Sequence, residues 1–106
     1  MGSHTNIDAD GLREMMREPH VLVDVRTDRE VMERGLIPGS LHIPLHTLPA
    51  RLDDIGTDYP VIIYCQSGVR SVQASNFLAQ NGHDRIYNLV GGFADWTARG
   101  FPVART

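Results

Sequence analysis

Short apolar runs alternate with amphipathic segments along the whole chain, and this alternation constrains the fold more than any other feature. Runs that are typical of buried strands occupy residues 21–23, 41–43, 61–64 and 86–89. Segments with a helical spacing of apolar residues separate them. Parallel strands need helical crossovers between them, and those helices cover both faces of the sheet. The sequence therefore predicts one α/β domain, with a parallel sheet between two layers of helices.

The ends of several helices are also marked in the sequence. Asp8 is placed to cap a helix that stops before Pro19. Thr27 and Glu30 fit a capping box, in which a hydroxyl and a carboxylate close the first turn of a helix that runs to about Arg34. Further helices are expected around residues 48–52, over residues 71–80 and between residues 92 and 100.

Length and composition limit the organisation of the chain. Its 106 residues fit one domain with its own hydrophobic core. We expect residues 1–5 to be a cloning remnant and a disordered N-terminus, and residues 6–106 to form the domain. No apolar run approaches the roughly 20 residues of a membrane helix, and no signal peptide is visible. The sequence thus predicts a cytoplasmic monomer, and its net charge of −3 without a basic cluster argues against nucleic acid as a partner.

The chain has a single cysteine, Cys65, which excludes an intramolecular disulfide, a zinc site of several cysteines and a two-cysteine redox cycle. Cys65 directly follows the apolar run 61–64, so we expect it at the carboxyl end of a strand, where open α/β sheets bind ligands. Gly68 permits a tight turn before the next helix, and the N–H groups of such a turn bind anions. These surroundings favour the thiolate, the nucleophilic form of cysteine, over a merely buried thiol.

The length of this turn separates two kinds of cysteine chemistry. Four residues lie between Cys65 and Arg70, whereas the corresponding loop of cysteine phosphatases is longer and surrounds a tetrahedral phosphate. The shorter loop favours a smaller cargo, a single sulfur atom bonded to Cys65. A phosphatase and an arsenate reductase that uses an external thiol are the alternatives on this chemistry.

Four motifs, in this order, resemble those of the rhodanese family. They are DVR at residues 24–26, GLIPGS at 35–40, CQSGVRS at 65–71 and GGFADW at 91–96. The resemblance covers nearly the whole chain and implies a rhodanese-like α/β fold, a five-stranded parallel sheet flanked by helices on both faces. It also implies a sulfurtransferase that takes a sulfane sulfur from a donor such as thiosulfate, holds it as a persulfide on Cys65, and passes it to cyanide, a thiol or a protein.

The resemblance also assigns roles to single residues. Cys65 is implied as the catalytic residue, and the loop behind it as the site that binds the anionic donor and the persulfide. The implied substrate-binding residues are Gln66, Ser67, Gly68, Val69, Arg70 and Ser71. No metal and no organic cofactor is implied, and the partners are a small anionic sulfur donor and a sulfur-acceptor protein. The alternative from another class is a rhodanese-like module that docks or regulates partners without catalysis.

Several other polar residues have simpler interpretations. Asp24 and Arg26 are expected to form a structural ion pair, because charges near strand ends are normally paired. His42 and His46 are not expected to hold a metal, since a proline lies between them and no carboxylate motif accompanies them. Arg70 is the only basic residue of the loop, and we expect its side chain to face the substrate.

Overall fold

Five parallel strands form the central sheet in the computed structural model, which describes residues 4–105. The strands are β1 (Thr5–Ile7), β2 (Val21–Asp24), β3 (Leu41–His42), β4 (Val61–Tyr64) and β5 (Ile86–Leu89). Their order across the sheet is β1-β5-β4-β2-β3, and every neighbouring pair is parallel. The predicted five-stranded parallel sheet is confirmed.

Helices connect successive strands, and a last helix follows β5. They are α1 (Ala9–Met15), α2 (Asp28–Arg34), a 3-10 helix (Leu45–Ala50), α3 (Leu52–Ile55), α4 (Arg70–Gln80) and α5 (Gly92–Ala98). The Asp8 carboxylate accepts a hydrogen bond from the Gly11 N–H and caps α1, as predicted. Thr27 and Glu30 form the predicted capping box at the start of α2. Local sequence chemistry therefore sets where these helices begin.

A separate hydrophobic cluster covers each face of the sheet. On one face, Ala74 and Leu78 of α4 pack with residues of β2 and β4 and with Leu48 of the 3-10 helix. On the other face, Leu12 of α1 and Trp96 of α5 pack against residues of the same strands that point the opposite way. Helices thus lie on both faces, as a parallel sheet requires. The central strand β4 is buried along its whole length, which fixes the position of the loop that follows it.

The N-terminal segment differs from the expectation. Thr5 belongs to β1, which pairs with β5, so the ordered domain begins before residue 6. Thr5 and Asn6 are polar and exposed at the sheet edge, so they lack the apolar pattern that marks the other strands. Pairing with β5 rather than composition makes this segment a strand. His4 of the same segment is also described, with Nδ1 3.2 Å from Oδ1 of Asn76, whereas residues 1–3 lie outside the described residues.

Hydrophobic helices of membrane-spanning length do not occur between residues 4 and 105. The longest helix in this range, α4, has 11 residues.

Candidate active site

Cys65 lies at the carboxyl edge of the sheet, directly after the central strand β4. The seven residues 65–71, here called the Cys65 loop, lead from β4 into the first turn of α4. Gly68 has a φ of +102°, a left-handed conformation that a side chain would strain. The Cys65 residue itself is only 1% exposed. The topology therefore places the single thiol where parallel α/β sheets bind ligands.

The sulfur of Cys65 is surrounded by hydrogen-bond donors. The backbone N–H groups of Gly68 and Ser71 donate to Sγ over 3.1 and 3.4 Å, and the Ser71 hydroxyl lies 3.5 Å away. No side chain caps α4, so the sulfur accepts from an N–H of its first turn that would otherwise lack a partner. The sulfur thus lies at the positive end of the helix dipole.

These donors lower the pKa of Cys65. Burial alone raises the pKa of the thiol, because a charged sulfur is poorly solvated there. Hydrogen bonds from the Ser71 hydroxyl and from the N–H groups of Ser71, Gly68 and Ser67 outweigh burial, so the pKa of Cys65 falls below that of an ordinary thiol. The site consequently favours a thiolate, and equally any anion attached to that sulfur.

The start of α5 holds the first half of the Cys65 loop. The N–H of Phe93 donates to the carbonyl oxygen of Cys65 over 2.9 Å, and the N–H of Ala94 donates to that of Gln66 over 3.0 Å. Gly92 adopts a φ of +58°, and a Cβ at this position would clash with the Cys65 carbonyl oxygen and lie 2.8 Å from that of Gln66. Gly92 is therefore required for the close approach of two backbones. Gly92 belongs to the GGFADW motif, but the local sequence carries no signal of its contact with the Cys65 loop.

A buried ion pair lies beside this half of the loop. Arg26 donates to both carboxylate oxygens of Asp24, and both side chains are fully buried. The Arg26 guanidinium also donates to the carbonyl oxygen of Gly35 over 2.6 Å and to the side-chain Oε1 of Gln66 over 3.1 Å. The predicted structural ion pair is confirmed, and it extends to the loop. A guanidinium group only donates hydrogen bonds, so Oε1 of Gln66 must be the atom that faces Arg26. The side-chain amide NH2 of Gln66 is left for other partners.

Arg70 has a different orientation from the one expected. Its guanidinium forms two hydrogen bonds with the Glu30 carboxylate of α2, over 2.6 and 2.8 Å. Among the described residues, no hydrogen bond joins it to the sulfur of Cys65. The hydrogen bonds from Arg70, together with those from Thr27, lower the pKa of Glu30 to about 2. The sequence pointed to Glu30 only as a helix cap, and its pairing with Arg70 joins residues 40 positions apart.

The remaining predicted loop residues differ in exposure. Gln66 and Gly68 are half-buried, Ser67 is exposed, and Ser71 is buried beneath the sulfur. Val69 at the tip of the loop is 71% exposed. Backbone N–H groups of Ser67, Gly68 and Ser71 therefore stabilise the sulfur, whereas the side chains of Ser67 and Val69 are exposed to solvent.

The histidines near this edge form local contacts. His42 Nε2 lies 2.7 Å from the carbonyl oxygen of Arg26, and its Nδ1 lies 3.8 Å from Asp28. Within residues 4–105, no group of three or more histidine, cysteine, aspartate or glutamate side chains is arranged to hold a metal ion. His42 is thus accounted for by contacts at the end of β2.

Fold and site together define a class of protein: an α/β domain that presents one activated cysteine in an anion-binding loop. The model of the rhodanese-like domain family matches residues 8–99. A sulfurtransferase of Allochromatium vinosum is 40% identical over 99 residues, 92% of this chain and 92% of that protein. A thiosulfate sulfurtransferase of Actinobacillus succinogenes is 35% identical over 86 residues, 81% of this chain and 77% of that protein.

A solved structure shares the same fold. The crystal structure of a rhodanese-related protein from Thermoplasma volcanium matches with a TM-score of 0.88 at 30% identity, covering 97% of this chain and 100% of that chain. The chain belongs to the rhodanese-like domain family. The sulfurtransferases among its relatives support a transferase as its enzyme class.

Proposed function

We propose that the protein transfers sulfane sulfur through a persulfide on Cys65. The observation that carries this proposal is the set of donors around the sulfur: two backbone N–H groups within 3.4 Å and the Ser71 hydroxyl. Such donors stabilise a thiolate before the reaction and a persulfide anion after it. They need no metal and no organic cofactor for either task.

The first step loads the sulfur. The Cys65 thiolate attacks the outer sulfur of a donor such as thiosulfate and forms a new S–S bond. The S–S bond of the donor breaks, and its electron pair leaves with sulfite. The product is the Cys65 persulfide anion, so the total charge is conserved.

The second step unloads it. An acceptor attacks the outer sulfur of the persulfide, and the electron pair of the S–S bond returns to Cys65 as the thiolate. Cyanide gives thiocyanate in this step, and a thiol or a sulfur-carrier protein gives a new persulfide. The two steps share one intermediate, which predicts ping-pong kinetics.

The proposal assigns roles to the whole Cys65 loop. Cys65 is the catalytic residue, and the segment from Gln66 to Ser71 binds donor and persulfide, mainly through backbone N–H groups. The exposed tip at Val69 leaves room for a bulky acceptor such as a protein. We further propose that the protein acts as a monomer in the cytoplasm on a small anionic donor.

Intact mass spectrometry tests the proposal directly. The native protein is expected to gain the mass of one sulfur after thiosulfate and to lose it after cyanide, with thiocyanate released. Cys65→Ser is expected to gain nothing, since it removes the only thiol of the chain. A gain that persists in this variant would place the sulfur elsewhere. If thiosulfate, mercaptopyruvate and organic persulfides all fail to load the native protein, the enzyme proposal is wrong and a docking module becomes the better explanation.

A further inference from the structure

The ion pair between Arg70 and Glu30 engages the only basic side chain of the Cys65 loop with a carboxylate instead of with the sulfur of Cys65. Both guanidinium N–H groups that Arg70 directs at Glu30 make short hydrogen bonds, 2.6 and 2.8 Å long. Such a two-point contact between guanidinium and carboxylate is the strongest geometry for this pair. In this arrangement, the positive charge of Arg70 is matched by a carboxylate and not by a substrate.

Contacts within α2 also hold Glu30, the acidic residue of this pair. Glu30 Oε1 also accepts hydrogen bonds from the backbone N–H and the hydroxyl of Thr27, in the capping box of α2. The carboxylate is thus held in place from its own helix before it meets Arg70. The capping contact restricts the motion of Glu30, which makes the hold on Arg70 firmer than that of a freely moving surface pair.

Arg26, the other arginine near the loop, is also paired with a carboxylate. Arg26 is buried and paired with Asp24, so it adds little net charge to the site. A doubly charged donor would therefore meet backbone N–H groups but no free cationic side chain from these two residues. A donor with less charge loses less electrostatic attraction by the absence of a cation than a dianion does.

We propose that Glu30 determines donor specificity: by holding Arg70 away from the sulfur, it disfavours the dianion thiosulfate and favours organic persulfides, whose reacting end carries at most one charge. This inference rests on the proposed function. Arg70 and Cys65 lie five positions apart in one loop. The hydrogen bonds that Arg70 donates to Glu30 raise the pKa of Arg70, and the charge of Cys65 adds to this effect. Glu30 is a positioning residue here, acting through Arg70.

The loading reaction with an organic persulfide is balanced without any further reactant. The Cys65 thiolate attacks the outer sulfur of R–S–SH, the S–S bond of the donor breaks, and the electron pair leaves on the thiolate RS⁻. The transferred sulfur keeps its proton at the moment of transfer and then shares the donors that surround Sγ. No oxidant or reductant is consumed.

Single-turnover loading of Cys65 tests the inference. The second-order rate constants for thiosulfate and for 2-hydroxyethyl persulfide, generated in place, are measured by quenching and intact mass. Glu30→Gln keeps an acceptor for the capping box but removes the charge that holds Arg70. The ratio of the thiosulfate to the persulfide rate constant is expected to rise about tenfold in this variant, as one new charged hydrogen bond to the dianion would produce.

Glu33→Gln is the matched control. It makes the same change of charge on the same helix, but Glu33 pairs with the exposed Arg29 instead of the loop. Its ratio is expected to stay within about twofold of the native value. An equal rise in both variants would reduce the effect to net charge and overturn the inference, as would an unchanged ratio in Glu30→Gln.

Two further variants assign the effect to Arg70. In an Arg70→Gln background, adding Glu30→Gln should no longer raise the ratio of the thiosulfate to the persulfide rate constant. A rise that persists without Arg70 would contradict the role of Arg70. Arg70→Lys leaves the cap of α2 untouched and replaces the two-point contact with a point charge, so a smaller rise is expected. If neither donor loads the native protein, the proposed function fails. If both load but the ratio does not move with Glu30, only the inference about donor specificity fails.

Discussion

Two arginines anchor the Cys65 loop, and their surroundings differ sharply. Arg26 is fully buried, pairs with an equally buried Asp24 and donates to the side chain of Gln66. Arg70 lies further along the loop, with 36% of its side chain exposed, and pairs with Glu30, which is 24% exposed. A charge without water depends wholly on its partner, whereas a charge in contact with water can exchange one partner for another. The first arginine is therefore a fixed support, and the second is available for regulation or specificity.

The buried pair has further contacts that keep it in place. The Arg26 guanidinium lies 4.1 Å from the centre of the Phe93 ring, at the start of α5. Asp24 at the end of β2 stands opposite Tyr64 at the end of β4 in the register of the sheet. The pair therefore links β2, α5 and the Cys65 loop at one edge of the sheet. Replacing Arg26 or Asp24 should therefore lower the stability of the fold as well as affect the Cys65 loop.

The largest expected effect follows from breaking this buried pair. Arg26→Met is expected to lower the free energy of unfolding by about 3–5 kcal/mol, because it leaves the Asp24 carboxylate buried without its partner. Arg70→Met, at the partly exposed pair with Glu30, is expected to cost about 1 kcal/mol or less. Urea denaturation of both variants measures the difference.

A double variant sharpens this test. Asp24→Asn with Arg26→Met removes both charges but keeps an oxygen for the backbone N–H of Arg26, which donates to Asp24 over 2.9 Å. The double variant is expected to be more stable than Arg26→Met alone. Equal losses at the buried and exposed arginines would remove the distinction between a fixed and an exchangeable anchor.

The next largest effect is expected at Gly92, where the start of α5 contacts the first half of the Cys65 loop. Gly92→Ala is expected to cost about 3 kcal/mol, because the new methyl group meets the Cys65 and Gln66 carbonyl oxygens at a positive φ. Gly100→Ala is the control, with a φ of +77° and no atom within 4 Å of a new Cβ. It should cost about 1 kcal/mol, the backbone penalty alone.

Thermal unfolding measures this pair of variants. A difference of about 2 kcal/mol corresponds to roughly 8–16 °C in Tm for a domain of this size. Equal shifts for both glycines would mean that the loop moves away from α5 at little cost. The first half of the loop would then be as mobile as the second, and the contrast between the two anchors would disappear.

The sequence predicted well those features that depend on local chemistry or on the pattern of burial. The capping contacts of Asp8 and Thr27 involve neighbours within three residues, so they can be read from the sequence directly. The apolar runs 21–23 and 61–64 mark the strands β2 and β4, because helices cover both faces of the sheet. β5 is marked less strongly, since it includes the buried polar Asn88. The position of Cys65 at a strand end followed from the same pattern.

The features that sequence reasoning missed depend on contacts between distant segments. Thr5 becomes part of a strand only because β5 offers it an edge. Glu30 meets Arg70 through the packing of α2 beside the loop, and Gly92 meets Cys65 through the packing of α5. Tertiary contacts of this kind leave no periodic or local signal. The orientation of Arg70 was therefore beyond what spacing in the loop could determine.

The smallest expected effect is a pH dependence at the exchangeable anchor. Arg70, and to a smaller extent the hydrogen bonds from Thr27, lower the pKa of Glu30 in the folded protein to about 2, below its usual value of 4.5. A folded-state pKa below the unfolded one stabilises the protein above the unfolded pKa, and this stability is lost as the pH falls through the folded value. The free energy of unfolding of the native protein should thus be about 1 kcal/mol higher than that of Glu30→Gln near pH 7. This difference in stability should shrink as the pH falls from about 5 to 2.

Urea denaturation of the native protein and Glu30→Gln across this pH range measures the difference in stability. The same comparison in an Arg70→Met background shows whether Arg70 causes it. Without Arg70, the largest cause of the lowered pKa of Glu30 is absent, so the effect of Glu30→Gln on stability should be smaller and should depend less on pH. A pH dependence that survives the loss of Arg70 would assign it to the Thr27 cap of α2 instead. The exposed pair would then contribute little, and Arg70 would be even freer to change partners than its two short hydrogen bonds to Glu30 imply.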